Sequence, residues 1–227
     1  FIDWFWVGKT KAWLIPGTED LMPYIPKKTL VKKWIGIYAI GILFMLTLAA
    51  GAEKVVPAMV TSFDEITRTC IILDAGHGFP DGGAISCTGV AESEINLNIT
   101  KKLDAVLRLM GYNTKMLRST NDSIYTQGHT IAQKKISDLK ERVRIINETP
   151  DALLISIHQN TFSDSRYCGA QVFYAETKDS NVLANQLQEN LVSFLNPGSN
   201  RKCKLSKGVY LMEHIECTGV LIECGFI

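Results

Sequence analysis

The 227-residue chain lacks an excess of charge of either sign. Its 24 Lys and Arg face 23 Asp and Glu, for a formal net charge of +1. Such a balance creates no field to attract a polyanion, and it gives no basis for a nucleic-acid partner. Histidine is scarce, at four residues. The helical H-E-x-x-H metal motif is absent, and no GK[ST] follows the glycine-rich stretch near residue 80. None of the six cysteines (Cys70, Cys87, Cys168, Cys203, Cys217, Cys224) falls in a C-x-x-C pair. An even number in an exported chain permits disulfides, but several sit in strand-like runs, where a buried free thiol is the simpler expectation. There is no internal repeat and no low-complexity tract.

What the chain does have is apolar surface: 46% of its residues are hydrophobic. That is enough for one good-sized core, or one domain with an appendage. Trp34–Ala52, "WIGIYAIGILFMLTLAAGA", carries no charge. About 20 apolar residues span a bilayer. The lysines of "KKTLVKK" precede it, which keeps residues 1–33 in the cytoplasm and sends the rest across. Ala50-Gly51-Ala52 also fits a small-x-small cleavage site. A transmembrane anchor and a signal peptide therefore both stand, and a buried core helix is the third reading. Either of the first two places Glu53 onward outside the cytoplasm, membrane-anchored or secreted. Residues 1–26 hold Trp4, Trp6 and Trp13 but show no periodic pattern. The start at Phe1 and the stop at Ile227 inside an apolar run are those expected of a fragment, with Met22 a candidate start.

After a linker at 53–69, strand and helix patterns alternate. "CIILDAGH" (70–77) is a buried strand entering a glycine-rich loop. "EINLNITKKLDAVLRLMG" repeats apolar residues at Ile95, Ile99, Leu103, Val106 and Leu107, the spacing of a helix, and Gly111 suits its stop. "YNTKMLR" is a strand, 119–136 a polar loop, and "SDLKERVRIINE" a second helix. Strands follow at 151–158 and in "GAQVFYA", then a third helix, "DSNVLANQLQENLVSFLN". "GVYLME" and "TGVLIECGF" close the series as strands. This alternation predicts an α/β fold: a twisted, largely parallel sheet covered by helices on both faces, preceded by an N-terminal hydrophobic helix.

Ligand sites of open α/β sheets lie beyond the carboxyl ends of the strands. Three apolar strands deliver a reactive residue there: His77, His158 and Glu223. Glu92 follows in the loop after His77, where capping of the next helix is its ordinary explanation. Two histidines and a carboxylate are a standard set for catalytic zinc (Zn2+), with water as fourth ligand. A second carboxylate would serve as general base. His77, Glu92, His158 and Glu223 supply that list. Gly76, Gly78, Gly82 and Gly83 could instead cradle a phosphate, but the spacing is not G-x-G-x-x-G and Pro80 removes a backbone N–H.

"ILDAGHGFPDGGA", "GVAESEINLNIT", "LRSTND", "SDLKERVRIIN", "SIHQNTF", "GAQVFY" and "VLIECGFI" occur in an order that resembles the zinc-dependent N-acetylmuramoyl-L-alanine amidases. The resemblance covers 70–227 and looks most like members from spore formers, including those acting on spore cortex. It implies a catalytic domain over 70–227 that lacks the family's closing helix. It implies peptidoglycan as substrate, cleaved at the amide between the muramic lactyl group and L-alanine, and so a membrane-anchored protein or one secreted to the cell wall. His77, Glu92 and His158 would be the zinc ligands. Glu92 is preferred to Glu94 because it holds the motif's E-x-x-x-N-L position, with Asn96 and Leu97 following. Glu223 would be the catalytic carboxylate, moving a proton from the attacking water to the leaving nitrogen. Asn160 would help bind substrate. Arg118 and Asp122 are expected to form a structural ion pair. Gln159 departs from the family's small residue, and His129 and His214 are expected at the surface. An activator protein is possible in this family, but the sequence names none. The alternatives are a zinc peptidase or deacetylase acting on another amide, and a non-catalytic wall-binding relative.

Overall fold

A strand buried on both faces needs apolar residues on both, and the last strand has them. The computed structural model describes residues 4–7, 10–14, 21–23, 68–162 and 168–227. They fall in two units, residues 1–61 and 62–227.

In the first unit, β1 (Trp4–Val7), β2 (Thr10–Leu14) and β3 (Leu21–Pro23) form an antiparallel meander. The register pairs Val7 with Thr10. Strands this short show too few alternations to be recognised in the sequence. The apolar segment 34–52 lies outside the described residues, as does 53–67 of the linker. No described helix is long and apolar enough to cross a membrane.

The second unit is a six-stranded sheet with helices on both faces. Its elements are β4 (Cys70–Ala75), α1 (Glu92–Leu109), β5 (Asn113–Met116), α2 (Ile131–Asn147), β6 (Ala152–Asn160), β7 (Gln171–Tyr174), α3 (Ser180–Leu195), β8 (Lys204–Leu205), α4 (Tyr210–His214) and β9 (Thr218–Phe226). The strand order is β5-β4-β6-β9-β7-β8. Pairings from β5 through β9 are parallel, but β7 runs antiparallel to β9, so the sheet is mixed. Strand period then sorts the side chains. Leu154 and Leu221 join Ile72, Ile146, Leu211, Met212 and Ile215 in one buried cluster, which takes in residues of α2 and α4. Ile157, Val220 and Ile222 join Val172 and Ala184 in the other, under α1 and α3.

Three boundaries differ from the sequence expectation. "GVYLME" is not a strand: Leu211, Met212 and Ile215 fall on one buried face of a short helical turn. Helix α2 begins at Ile131, inside the expected loop, because Thr130 and Gln133 close a capping box. Helix α1 begins at Glu92, so that residue belongs to the helix and not to the loop before it. All six cysteines are free thiols.

Leu154 is fully buried between β4 and β9. Leu154→Ala is expected to destabilise the domain by about 2–5 kcal/mol. The check is a lowered urea midpoint with an unchanged slope.

Candidate metal centre

The register of the two central parallel strands sets the site. β6 and β9 pair Ile157 with Ile222 and His158 with Glu223, after which a bulge shifts Asn160 opposite Phe226. The expected strand-end residues His158 and Glu223 are therefore neighbours by construction. β4 pairs with β6 up to Ala75–Ile157 and then releases the chain, so His77 emerges one step beyond the same edge. Helix α1 starts here too and brings Glu92 from its first turn.

His77, Glu92 and His158 each offer one ligand atom, all within 4.8 Å of one another. His77 Nε2 lies 3.2 Å from Glu92 Oε2, and His158 Nδ1 lies 3.1 Å from Glu92 Oε1. A tetrahedral zinc with bonds of about 2.0–2.1 Å sets neighbouring ligand atoms about 3.3 Å apart. The donor set and its spacing fit a metal of that kind.

Two glycines make room for this approach. A Cβ on Gly76 would sit 2.2 Å from His158 Nε2. A Cβ on Gly83, where φ is +71°, would sit 2.6 Å from Glu92 Oε2 and 2.8 Å from His77 Cδ2. The glycine loop thus serves closeness to the ligands and not a phosphate cradle.

His77 itself has φ +61°, in the left-handed region that a side chain rarely adopts. Two buried arginines secure this loop. Arg142, fully buried on α2, donates to His77 O at 2.7 Å and Ala75 O at 3.0 Å, and pairs with Asp74 and Asp138. Arg118 donates to Ala75 O, Gly76 O, Ser93 O and Thr120 O at 2.7–3.1 Å. Its guanidinium is spent on carbonyls, so the expected ion pair with Asp122 is replaced by backbone contacts. Asp122 meets the loop through a backbone bridge to Phe79.

The carboxylates are tuned in opposite directions. Burial acts against ionised Glu92, but the bonds from His158 and His77 outweigh it and hold its pKa well below the usual glutamate range. Gln159 N–H and Asn96 Nδ2 also donate to Glu92 Oε1, each at 3.2 Å. Glu223 goes the other way. Burial raises its pKa, His158 opposes and neighbouring Glu92 adds to the rise. Its Oε2 is buried without a hydrogen-bond partner among the described residues. Burial works against a protonated His77, yet Asp81 and Glu92 hold its pKa up at about 9. Asn160 closes β6, where its carbonyl accepts from Ile227 N–H. His129 and His214 are exposed, as expected. A cleft of about 270 Å³ borders the cluster, lined among others by His77, His158, Lys135, Leu139, Val209 and Tyr210.

Residues 71–227 match the model of the N-acetylmuramoyl-L-alanine amidase family. The chain is 33% identical over 159 residues to the germination-specific N-acetylmuramoyl-L-alanine amidase of Bacillus subtilis, a match covering 69% of this chain and 66% of that protein. It is 31% identical over 160 residues to N-acetylmuramoyl-L-alanine amidase LytC of the same organism, covering only 29% of that longer protein. Among solved structures it resembles the CwlD amidase of Clostridioides difficile, determined in complex with the GerS lipoprotein. There the identity is 38% and the TM-score 0.66, over 70% of this chain and 82% of that one.

Two outcomes follow from the loop. Gly76→Ala displaces the His158 ring and is expected to weaken metal binding by about 10–100-fold, read by chelator competition. Asp74→Asn breaks a buried pair and is expected to cost about 3–5 kcal/mol at pH 7. Burial raises the Asp74 pKa, but Arg142 and Ser156 bring the net value below 3.8, so its stabilisation is full above about pH 4 and lost as pH falls further. The stability gap between wild type and Asp74→Asn, measured by denaturant titration, should therefore narrow below pH 4.

Proposed function

The chain belongs to the N-acetylmuramoyl-L-alanine amidase family, and from that premise we propose that it is a zinc-dependent hydrolase of peptidoglycan. It cleaves the amide between the lactyl group of N-acetylmuramic acid and L-alanine. The observation that carries the proposal is the convergence of His77, Glu92 and His158 beside the half-buried Glu223, in strand register with His158. His77, Glu92 and His158 hold the zinc. When bound, it supplies a Lewis acid that makes water nucleophilic near neutral pH and polarises the amide carbonyl.

The chain's own residues supply proton transfer and placement. Glu223 has a raised pKa and an Oε2 without a hydrogen-bond partner among the described residues, the properties of a group that accepts a proton readily and gives it up again. It takes the proton of the attacking water and delivers it to the departing L-alanine nitrogen. Glu92, held ionised by several donors, is unsuited to that shuttle and suited to ligation. The cleft lined by Leu139, Val209 and Tyr210 receives the substrate next to the metal, and Asn160 binds substrate at the end of β6.

The germination-specific relative and the CwlD complex support a narrower setting. The chain acts outside the cytoplasm on spore-cortex peptidoglycan, carried or anchored there by residues 34–52, with a lipoprotein as candidate partner.

The test is digestion of purified peptidoglycan by wild type and Glu223→Gln. Wild type should release L-alanine amines and free muramic lactyl ends. Glu223→Gln should keep its zinc and lose about 10²–10⁴ in rate. Cleavage of a different amide would move the enzyme to another zinc hydrolase class. Undiminished turnover by Glu223→Gln would remove Glu223 from the chemistry.

A further inference from the structure

Of the three ligand side chains, His77 stands on the least regular backbone. Strand β4 has ended at Ala75, and φ is +61° at His77 and +148° at Gly78. No helix or ladder hydrogen bond orients its ring. The contact that does so comes from the ring's other nitrogen: His77 Nδ1–H donates to Asp81 Oδ2 at 3.0 Å.

Asp81 is itself secured on every side. Its N–H donates to Gly78 O and its carbonyl accepts from Gly78 N–H, both at 2.9 Å. Its Oδ1 accepts from Gly83 N–H at 3.3 Å. Its Oδ2 also meets Lys135 Nζ, from α2, at 3.0 Å. The carboxylate thus joins the two ends of the glycine loop, His77 and Gly83, and ties both to a helix. Gly83 is the position where a Cβ would strike Glu92 Oε2 and the His77 ring, so its backbone placement also sets the spacing of those ligands.

We propose that Asp81 is a positioning residue of the metal centre, holding the His77 ring by its Nδ1–H so that Nε2 faces Glu92 and the metal. A ligating imidazole whose second N–H is held by a carboxylate has its ring orientation and tautomer fixed and gains basicity as a ligand. Asp81 acts through His77 and is not among the metal-ligand cluster. Lys135 holds Asp81 from the far side. Its side chain is half exposed, so it contributes placement of charge more than stability. Had Asp81 been only a staple of the loop, its backbone pair with Gly78 and its bond to Gly83 would suffice, and the His77 bond would be incidental.

The inference rests on the metal reading of the site, and the experiment separates the two. Zinc alone is titrated into the metal-stripped full chain against a chelator, for wild type, Asp81→Ala and Asp81→Asn. The melting temperature of each stripped protein is measured alongside. Asp81→Ala should bind zinc about 10–100-fold more weakly. Asp81→Asn keeps the shape but offers a neutral acceptor, and should lose about tenfold, because charge-assisted hydrogen bonds are roughly twice as strong as neutral ones. In zinc-loaded wild type, nitrogen-edited NMR should show a slowly exchanging His77 Nδ1–H that vanishes in Asp81→Ala. Zinc affinity within twofold of wild type in either variant, or survival of that ring proton in Asp81→Ala, overturns the role of Asp81 while leaving the metal centre intact. Should Asp81→Ala not fold, Asp81→Asn decides by the same twofold criterion. Failure of wild type itself to bind zinc overturns the metal reading and this inference with it.

Discussion

A guanidinium buried in the interior is the constraint on which the rest of the structure depends. Arg142 is 1% exposed, and an unpaired charge there would be prohibitive. It is satisfied by Asp74 on β4, by Asp138 one turn earlier on α2, and by the carbonyls of Ala75 and His77. Asp74 in turn accepts from Ser156 on β6 at 2.6 Å. One cation therefore fastens a helix to the two strands whose ends carry His77 and His158. Arg118 repeats the arrangement toward α1, through the carbonyls of Gly76 and Ser93. The loop between them cannot satisfy its carbonyls with a ladder, because the strand has ended, and the arginines replace the missing donors.

The second contribution is register. A parallel pair with period-two side chains puts Leu154 and Leu221 in one core, and Ile157, Val220 and Ile222 in the other. A slip of one residue would exchange those faces and separate His158 from Glu223. The packing of the sheet and the geometry of the site are thus specified by the same pattern, and α1 needs only to start at the sheet edge for Glu92 to arrive.

This explains what was legible in the sequence. His77, His158 and Glu223 each end an apolar run long enough to be read, and the structure brings His77 and His158 to one cluster with Glu223 alongside. Glu92 was legible through the family resemblance, whose motif sets it four residues before Asn96, and the Asn96 side chain does bond it. Arg142 and Asp138 were not, because charged residues at helical spacing in "SDLKERVRIINE" look like a solvated face until the loop they serve is seen. Asp81 stood in the quoted "GHGFPDGGA" without a role, because its bond to His77 depends on a turn geometry that composition does not reveal. The short helix at Tyr210–His214 reads as a strand in the sequence, since so few residues, with Val209 and Tyr210 leading, suit either element. The spacing of Leu211, Met212 and Ile215 was the available signal.

The central claim is that two imidazoles and a carboxylate, and none of the six free thiols, hold the metal. X-ray absorption at the zinc edge of the loaded chain tests it most directly. Nitrogen and oxygen neighbours alone at about 2.0–2.2 Å, with the scattering pattern of two imidazoles, are predicted. A sulfur neighbour at about 2.3 Å would contradict the account and move the centre to the cysteines.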